Sequence, residues 1–137
     1  MSFIMNTLTD EQILQRLLDA DSLPEKTVTL SRLGVPVTLR GLTGKQVYHI
    51  RERCTERKER RGQTSERLDE EQFNVALIAA ATVSPNWGDA KLLAKFQASG
   101  GEEVIKRILL AGELSALGDA VLDLSGFNTT LDELKNE

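Results

Sequence analysis

Phe73-Asn-Val-Ala-Leu-Ile-Ala-Ala-Ala-Thr-Val83 carries only two polar side chains, Asn74 and Thr82. Wound at about 3.6 residues per turn, the run places apolar groups on every side. A helix of that kind is stable in water only when other elements surround it. The stretch therefore predicts a central buried helix over about 69–84, with Asp69, Glu70 and Glu71 complementing its N-terminal dipole and Pro85 ending it. The segments that follow supply the cover. Asp89 caps a short helix of about 89–97 with Leu92, Leu93 and Phe96 on one face, stopped by Ser99-Gly100-Gly101. Val104, Ile105, Ile108 and Leu109 stripe a helix of about 102–110, and Leu114, Leu117, Val121 and Leu124 stripe another of about 113–125. Gly126 suits a left-handed residue just past that last helix, with Phe127 folding back on Leu122 as in a Schellman motif.

Working back toward the N-terminus, Thr43-Gly-Lys-Gln46 has the form of a capping box and opens a helix of about 43–61. Val47, Ile50 and Cys54 share a narrow sector of its wheel, which Arg57, Lys58 and Arg61 then take over. Charged groups there cannot stay buried unpaired, so the helix is expected to outrun the core as a projecting basic arm, followed by a loop at Gly62–Ser65. Thr27–Arg32 and Val35–Arg40 alternate apolar with polar residues, the signature of half-buried strands. With Leu33-Gly34 between them they predict one hairpin over 27–40, with Val28, Leu30, Val35, Val37 and Leu39 facing inward. Pro36 lacks an N–H and should place its strand at an edge. Thr9-Asp-Glu-Gln12 is another capping box, opening a short helix marked by Ile13, Leu14, Leu17 and Leu18. Whether that stripe packs on the core or waits for a partner is left open by the sequence.

The expected fold is mainly α (α+β): a compact helical domain around the central helix with one small N-terminal hairpin. Residues 1–26 form a short helix and linker, 27–127 one core domain, and 128–137 a flexible acidic tail with a weak Leu131/Leu134 stripe. At 137 residues the chain can bury a core without disulfides or metal. Its single cysteine, Cys54, excludes an internal disulfide and suits a reducing, cytoplasmic compartment. Met1-Ser-Phe-Ile-Met5 lacks the basic start of a signal peptide. No apolar run approaches the ~20 residues that span a bilayer.

Chemistry-bearing groups are sparse. His49 and Cys54, five residues apart on one predicted helix, diverge by about 140°, so they do not form a dyad there. Zinc has no second Cys or His to complete a four-ligand site. Gly41-Leu-Thr-Gly-Lys45 fails the phosphate-loop pattern, because Leu39 stands where the first glycine belongs and Gln46 where the hydroxyl does. These readings imply no enzyme and no cofactor. The net charge is −4, yet residues 40–61 hold eight basic groups against three acidic, while 102–137 hold three against eight. Arg51, Arg53, Arg57, Lys58, Arg60 and Arg61 could contact phosphates, which makes a small nucleic-acid-binding or regulatory protein using the basic helix 51–61 the alternative reading. Against it stand the interleaved Glu52, Glu56 and Glu59, the absence of aromatic residues for stacking, and a pI of about 5.1.

Val83-Ser-Pro-Asn-Trp-Gly-Asp-Ala-Lys-Leu-Leu92, Glu102-Glu-Val-Ile-Lys-Arg-Ile-Leu-Leu-Ala-Gly-Glu-Leu114 and Leu124-Ser-Gly-Phe127 follow one another in an order that resembles the XkdN-like phage tail assembly chaperones. In that family the corresponding pieces are a V-x-x-P-[D/N]-aromatic-x-D-x-x-L turn, an E-E-L-L-x-K-x-L-L-P-G-E-[Y/L] stretch and a terminal N-G-F. Ala111 stands where the family often has proline, and Ser99-Gly100-Gly101 departs from its usual linker. The resemblance implies a non-enzymatic protein of the host bacterial cytoplasm, absent from the finished virion. Such a protein would bind the phage tape-measure protein, keep it soluble during tail-tube assembly, and contact the tail-tube protein as a further candidate partner. A homo-oligomer is left open. Two contact surfaces follow as expectations: a patch of Trp87, Leu92 and Phe96, with Trp87 in an exposed turn, against the alternative that Trp87 simply covers one end of the central helix, and the basic arm with Arg53, Arg57, Lys58 and Arg61.

Overall fold

The computed structural model describes residues 7–20 and 22–127. The expected acidic tail at 128–137 lies outside the described residues. The central helix, α3 (Glu70–Ala81), is capped by Asp69, whose side chain accepts the Gln72 N–H at 3.1 Å. Phe73, Val75, Ala76, Leu77, Ile78 and Ala81 are buried along it, on several sides of the helix as its composition demands. Its cover comes from α2 (Gly44–Arg53), α5 (Gly101–Ile108), α6 (Ala111–Leu124) and strand β2 (Val35–Arg40). A shorter helix, α4 (Ala90–Phe96), packs against α5. The shared core joins Leu30, Val37 and Leu39 from the strands to Val104, Ile105, Leu117 and Val121 from the helices. The last helix ends as expected from Gly126: at φ +91° this residue lets Gly126 N–H reach Asp123 O and Phe127 N–H reach Leu122 O, both at 3.1 Å.

The architecture nevertheless differs from the expected helical domain with one hairpin. Six helices alternate with five strands in two antiparallel sheets among the described residues, a mixed fold with strands interspersed along the chain. The first sheet has the order β1-β2-β5, with β1 at Glu25–Leu30 and β5 at Thr82–Ser84. The residues Thr82 to Ser84, read as the last turn of the central helix, are instead extended. The Thr82 hydroxyl donates back to Ile78 O at 2.6 Å, and the chain, β-branched at Thr82 and Val83, leaves the helix so that Thr82 pairs with Leu39 and Ser84 with Thr38. This addition puts β2 in the middle of the sheet, which corrects the edge placement expected from Pro36. The proline is tolerated because β5 reaches only Thr38 and Leu39, so Pro36 pairs with Thr29 of β1 alone.

The second sheet is the larger correction. The helix expected over 43–61 stops at Arg53, and a hairpin of β3 (Thr55–Arg60) and β4 (Gln63–Leu68) follows. The physical reason lies in the charges. Continued as a helix, the chain would set Arg57, Lys58 and Arg61 on the sector that Val47 and Ile50 bury. With Arg57 and Lys58 on a strand and Arg61 in the turn after it, the same residues reach solvent, and Glu56↔Arg67 and Arg57↔Glu66 become cross-strand neighbours of opposite sign. Arg61 and Gly62, at φ +53° and +79°, form a two-residue turn of the kind that favours glycine at its second position. The segment Gly62–Ser65, expected as a loop, is this turn and the start of β4. At its base the hairpin is closed by the Asp69 N–H, which donates to Cys54 O at 2.9 Å.

Candidate partner-binding surfaces

Helix α1 (Asp10–Leu18) is built as its sequence predicts: Thr9 Oγ1 accepts the Gln12 N–H at 3.2 Å and Gln12 Oε1 accepts the Thr9 N–H at 2.9 Å. None of its residues is buried. Ile13, Leu14, Leu17 and Leu18 are 44%, 56%, 69% and 66% exposed, so four large apolar side chains lie together on one face of a capped helix in contact with water. The question left open by the sequence is answered here: the stripe is not part of the core. Its flanks carry Asp10, Glu11 and Asp19 against Arg16.

The Trp87 patch is arranged differently from expectation. Trp87 is buried, at 8% exposure, and its indole N–H donates to Thr82 Oγ1 at 3.1 Å. The Ser84–Pro85 bond is cis. Asn86 Oδ1 accepts the Gly88 N–H at 3.1 Å, and the indole lies inward against Thr82 at the end of α3. Gly101 allows the N-terminus of α5 to sit against it, since a Cβ there would stand 3.2 Å from Trp87 Cβ. Leu92 and Phe96 are half-buried on α4 and pack against the core rather than standing free. What remains at the surface is a shallow groove lined by Val83, Pro85, Trp87 and Gly101.

The four expected basic residues do not share one helix. Arg53 ends α2 and forms a two-pronged pair with Glu102, at 2.9 and 3.3 Å, which Gln72 Nε2 joins at 2.9 Å. This pair ties α2 to α5 and raises the Arg53 pKa, chiefly through the hydrogen bonds to Glu102. Arg57, on β3, donates to Glu52 at 2.6 Å and to Glu66 at 3.0 Å, and both bonds raise its pKa. Lys58, on the opposite face of β3, and Arg61, in the turn, make no ion pair among the described residues. The basic helix 51–61 of the nucleic-acid alternative is thus a helix end, a strand and a turn. Arg60 and Arg67 join Lys58 and Arg61 as exposed, unpaired cations. Arg67 lies past the expected loop Gly62–Ser65, in the part of β4 that the sequence reading leaves unassigned; the matching of its charge with Glu56 of β3 is the available signal.

His49 is exposed and meets Tyr48 edge to face at 5.8 Å. Cys54 is buried at the end of α2, where burial pushes its thiol pKa up, away from the reactive thiolate. Among the described residues no cluster of three His, Cys, Asp or Glu side chains could hold a metal ion, and no helix is long and apolar enough to cross a membrane.

The model of the phage XkdN-like tail assembly chaperone family matches residues 14–137. The chain belongs to this family of phage tail assembly chaperones. Among solved structures, this tail assembly chaperone is similar to the crystal structure of the protein YqbN, a structural genomics target, with a TM-score of 0.55 and 19% identity. The likeness covers 77% of this chain and 87% of that one, and at this identity it supports the fold. The comparison with curated proteins found no match.

Proposed function

We propose that this tail assembly chaperone binds the tape-measure protein of its phage and keeps it soluble while the tail tube assembles. The observation that supports this reading most is the bare apolar face of α1. A helical client can lay an amphipathic segment along anchors at i, i+1, i+4 and i+5, as helix-in-groove contacts do. Covering four partly exposed aliphatic side chains contributes on the order of 5 kcal/mol before the costs of association. That magnitude suits a holder that must release its client. The action is non-enzymatic and takes place in the host cytoplasm, with the tail-tube protein as a second partner at hand-over.

Leu92 and Phe96, with the groove beside Trp87, form a second contact region in this proposal, and Arg53, Arg57, Lys58 and Arg61 a third. Coexpression separates them. Wild-type chaperone should hold the tape-measure protein in the soluble fraction, and Leu14→Glu/Leu17→Glu should release it to the pellet while the far-UV circular dichroism outside α1 is kept. If the double variant still solubilises the client, α1 is not the contact. A capture that is unaffected by salt would exclude the cationic residues. A tape-measure protein that stays insoluble with wild type would overturn the reading as a whole.

A further inference from the structure

A two-stranded hairpin with no apolar face is marginal alone in water, and β3–β4 is such a hairpin. All its residues are exposed apart from half-buried Thr55 and Leu68 at its base. Among the described residues both of its outer edges are unpaired, since the sheet contains only β3 and β4. The edges differ in what they offer to another strand. Arg60↔Gln63 flanks the two-residue turn, so this pair exchanges both backbone hydrogen bonds and the pattern repeats at every second pair. Residues 58 and 65 then bond to each other, while the N–H and C=O groups of Thr64, Glu66 and Leu68 on β4, and of Thr55, Arg57 and Glu59 on β3, point outward.

We propose that the outer edge of β4 pairs with the β4 edge of a second copy of this chain, giving a four-stranded antiparallel sheet β3-β4-β4-β3 about a twofold axis at Ser65. A twofold interface sets each residue against its symmetric counterpart. With Ser65 on the axis, Thr64 faces Glu66 of the second copy and Gln63 faces its Arg67, and no like charges meet. The same register brings the Arg61 turn beside Asp69 of the other copy, at the acidic start of α3. The unpaired Arg61 at the tip thereby finds a carboxylate at the opposite base. Moving the axis to Glu66 sets two carboxylates face to face. Pairing through β3 sets Arg57, or Lys58, against itself. Like charges directly opposite are destabilising, so β4 in the Ser65 register is the edge that permits self-pairing. The proposal stands apart from the identity of the client.

Sedimentation velocity over a concentration series tests it. Wild type should show a monomer–dimer equilibrium that weakens as salt rises. Thr64→Pro removes an outward N–H without touching the bonds within the hairpin, and Ser65→Glu places two carboxylates on the axis. Each should shift the equilibrium about fivefold or more toward monomer, with circular dichroism unchanged. Ser65→Cys should cross-link rapidly under mild oxidation, because facing residues of this class lie about 4.5 Å apart between Cα atoms, within disulfide reach. Glu59→Cys, on the other strand, should not. A wild type that stays monomeric at every concentration overturns the proposal, as does a dimer indifferent to Thr64→Pro and Ser65→Glu, or equal cross-linking at positions 59 and 65.

Discussion

Replacing Gly118 by alanine tests whether α3 and α6 are as closely packed as the structure shows. Gly118 is buried in the middle of α6 and faces Asn74 of α3. An added Cβ would overlap Asn74 Oδ1, and would stand 2.8 Å from its Cγ and 3.3 Å from its Cβ. Rotation of the amide relieves the first two contacts. The third is fixed by the backbone of α3, so the helices themselves must part by a few tenths of an ångström. Overpacking of this kind costs about 1–3 kcal/mol, whereas Gly→Ala within a helix returns about 1 kcal/mol. The net expectation is a loss of about 1 kcal/mol, a fall of about 4 °C in Tm for a chain of this size. Asn74→Gly combined with Gly118→Ala should be less destabilised than the sum of the single changes, because the fixed Cβ contact is then gone. Urea unfolding of the four proteins measures this cycle. A Gly118→Ala protein more stable than wild type would refute the close approach, since helix propensity would then be acting unopposed.

Thr82→Val keeps the shape of the side chain but removes the oxygen that accepts the Trp87 indole N–H. A loss of about 1–2 kcal/mol is expected, with a change in tryptophan fluorescence in the folded state, read directly because Trp87 is the one tryptophan. The pH dependence has a definite sign. Glu113 is held below the usual carboxylate range, first by the Arg32 guanidinium, which donates at 2.8 Å, and then by the Leu110 N–H. Glu103 is held down likewise by the Ser99 hydroxyl and N–H. A carboxylate with a lowered folded-state pKa contributes stability that is present above its unfolded value of about 4.3 and is lost as pH falls through the folded value. Glu113→Gln should therefore flatten the stability profile on the acid side and leave the profile above neutrality unchanged in shape, as measured by urea midpoints across pH.

The elements that were legible in the sequence are those whose local signals agree with their surroundings. The Thr9/Gln12 and Thr43/Gln46 boxes, the stripes of α5 and α6 and the Gly126 stop all rest on groups close together in the chain. The alternation of Val28, Leu30, Val37 and Leu39 likewise fixes its hairpin, with Leu30, Val37 and Leu39 buried and Val28 and Val35 packed at the margin. The misreadings came from contacts that single segments do not announce. Thr82-Val83 belongs to a strand only because β2 lies beside it, some forty positions earlier in the chain. β3 carries no apolar alternation to mark it, and its signal was the matching of Arg57 with Glu66 and Glu56 with Arg67 across a turn. For the candidate surfaces, the sequence could mark α1 as amphipathic but not show its face bare. It leaves Trp87 between an exposed turn and a cover for the end of the central helix, because the inward turn depends on Thr82 and Gly101, which meet the indole only in the folded chain.

The bond from Asp69 N–H to Cys54 O has a consequence for how this chain can vary. It closes the base of the arm, so the end of α2 and the start of α3 are held together whatever lies between them. Only half-buried Leu68 of β4 reaches the core. A loop whose ends are already pinned changes length cheaply, at about 0.6 kcal/mol per doubling. The stretch from Glu56 to Arg67 is consequently a variable cassette on an invariant frame, free to be lengthened, recharged or trimmed to a tight turn while the helices around Leu77 and Ile78 keep their places.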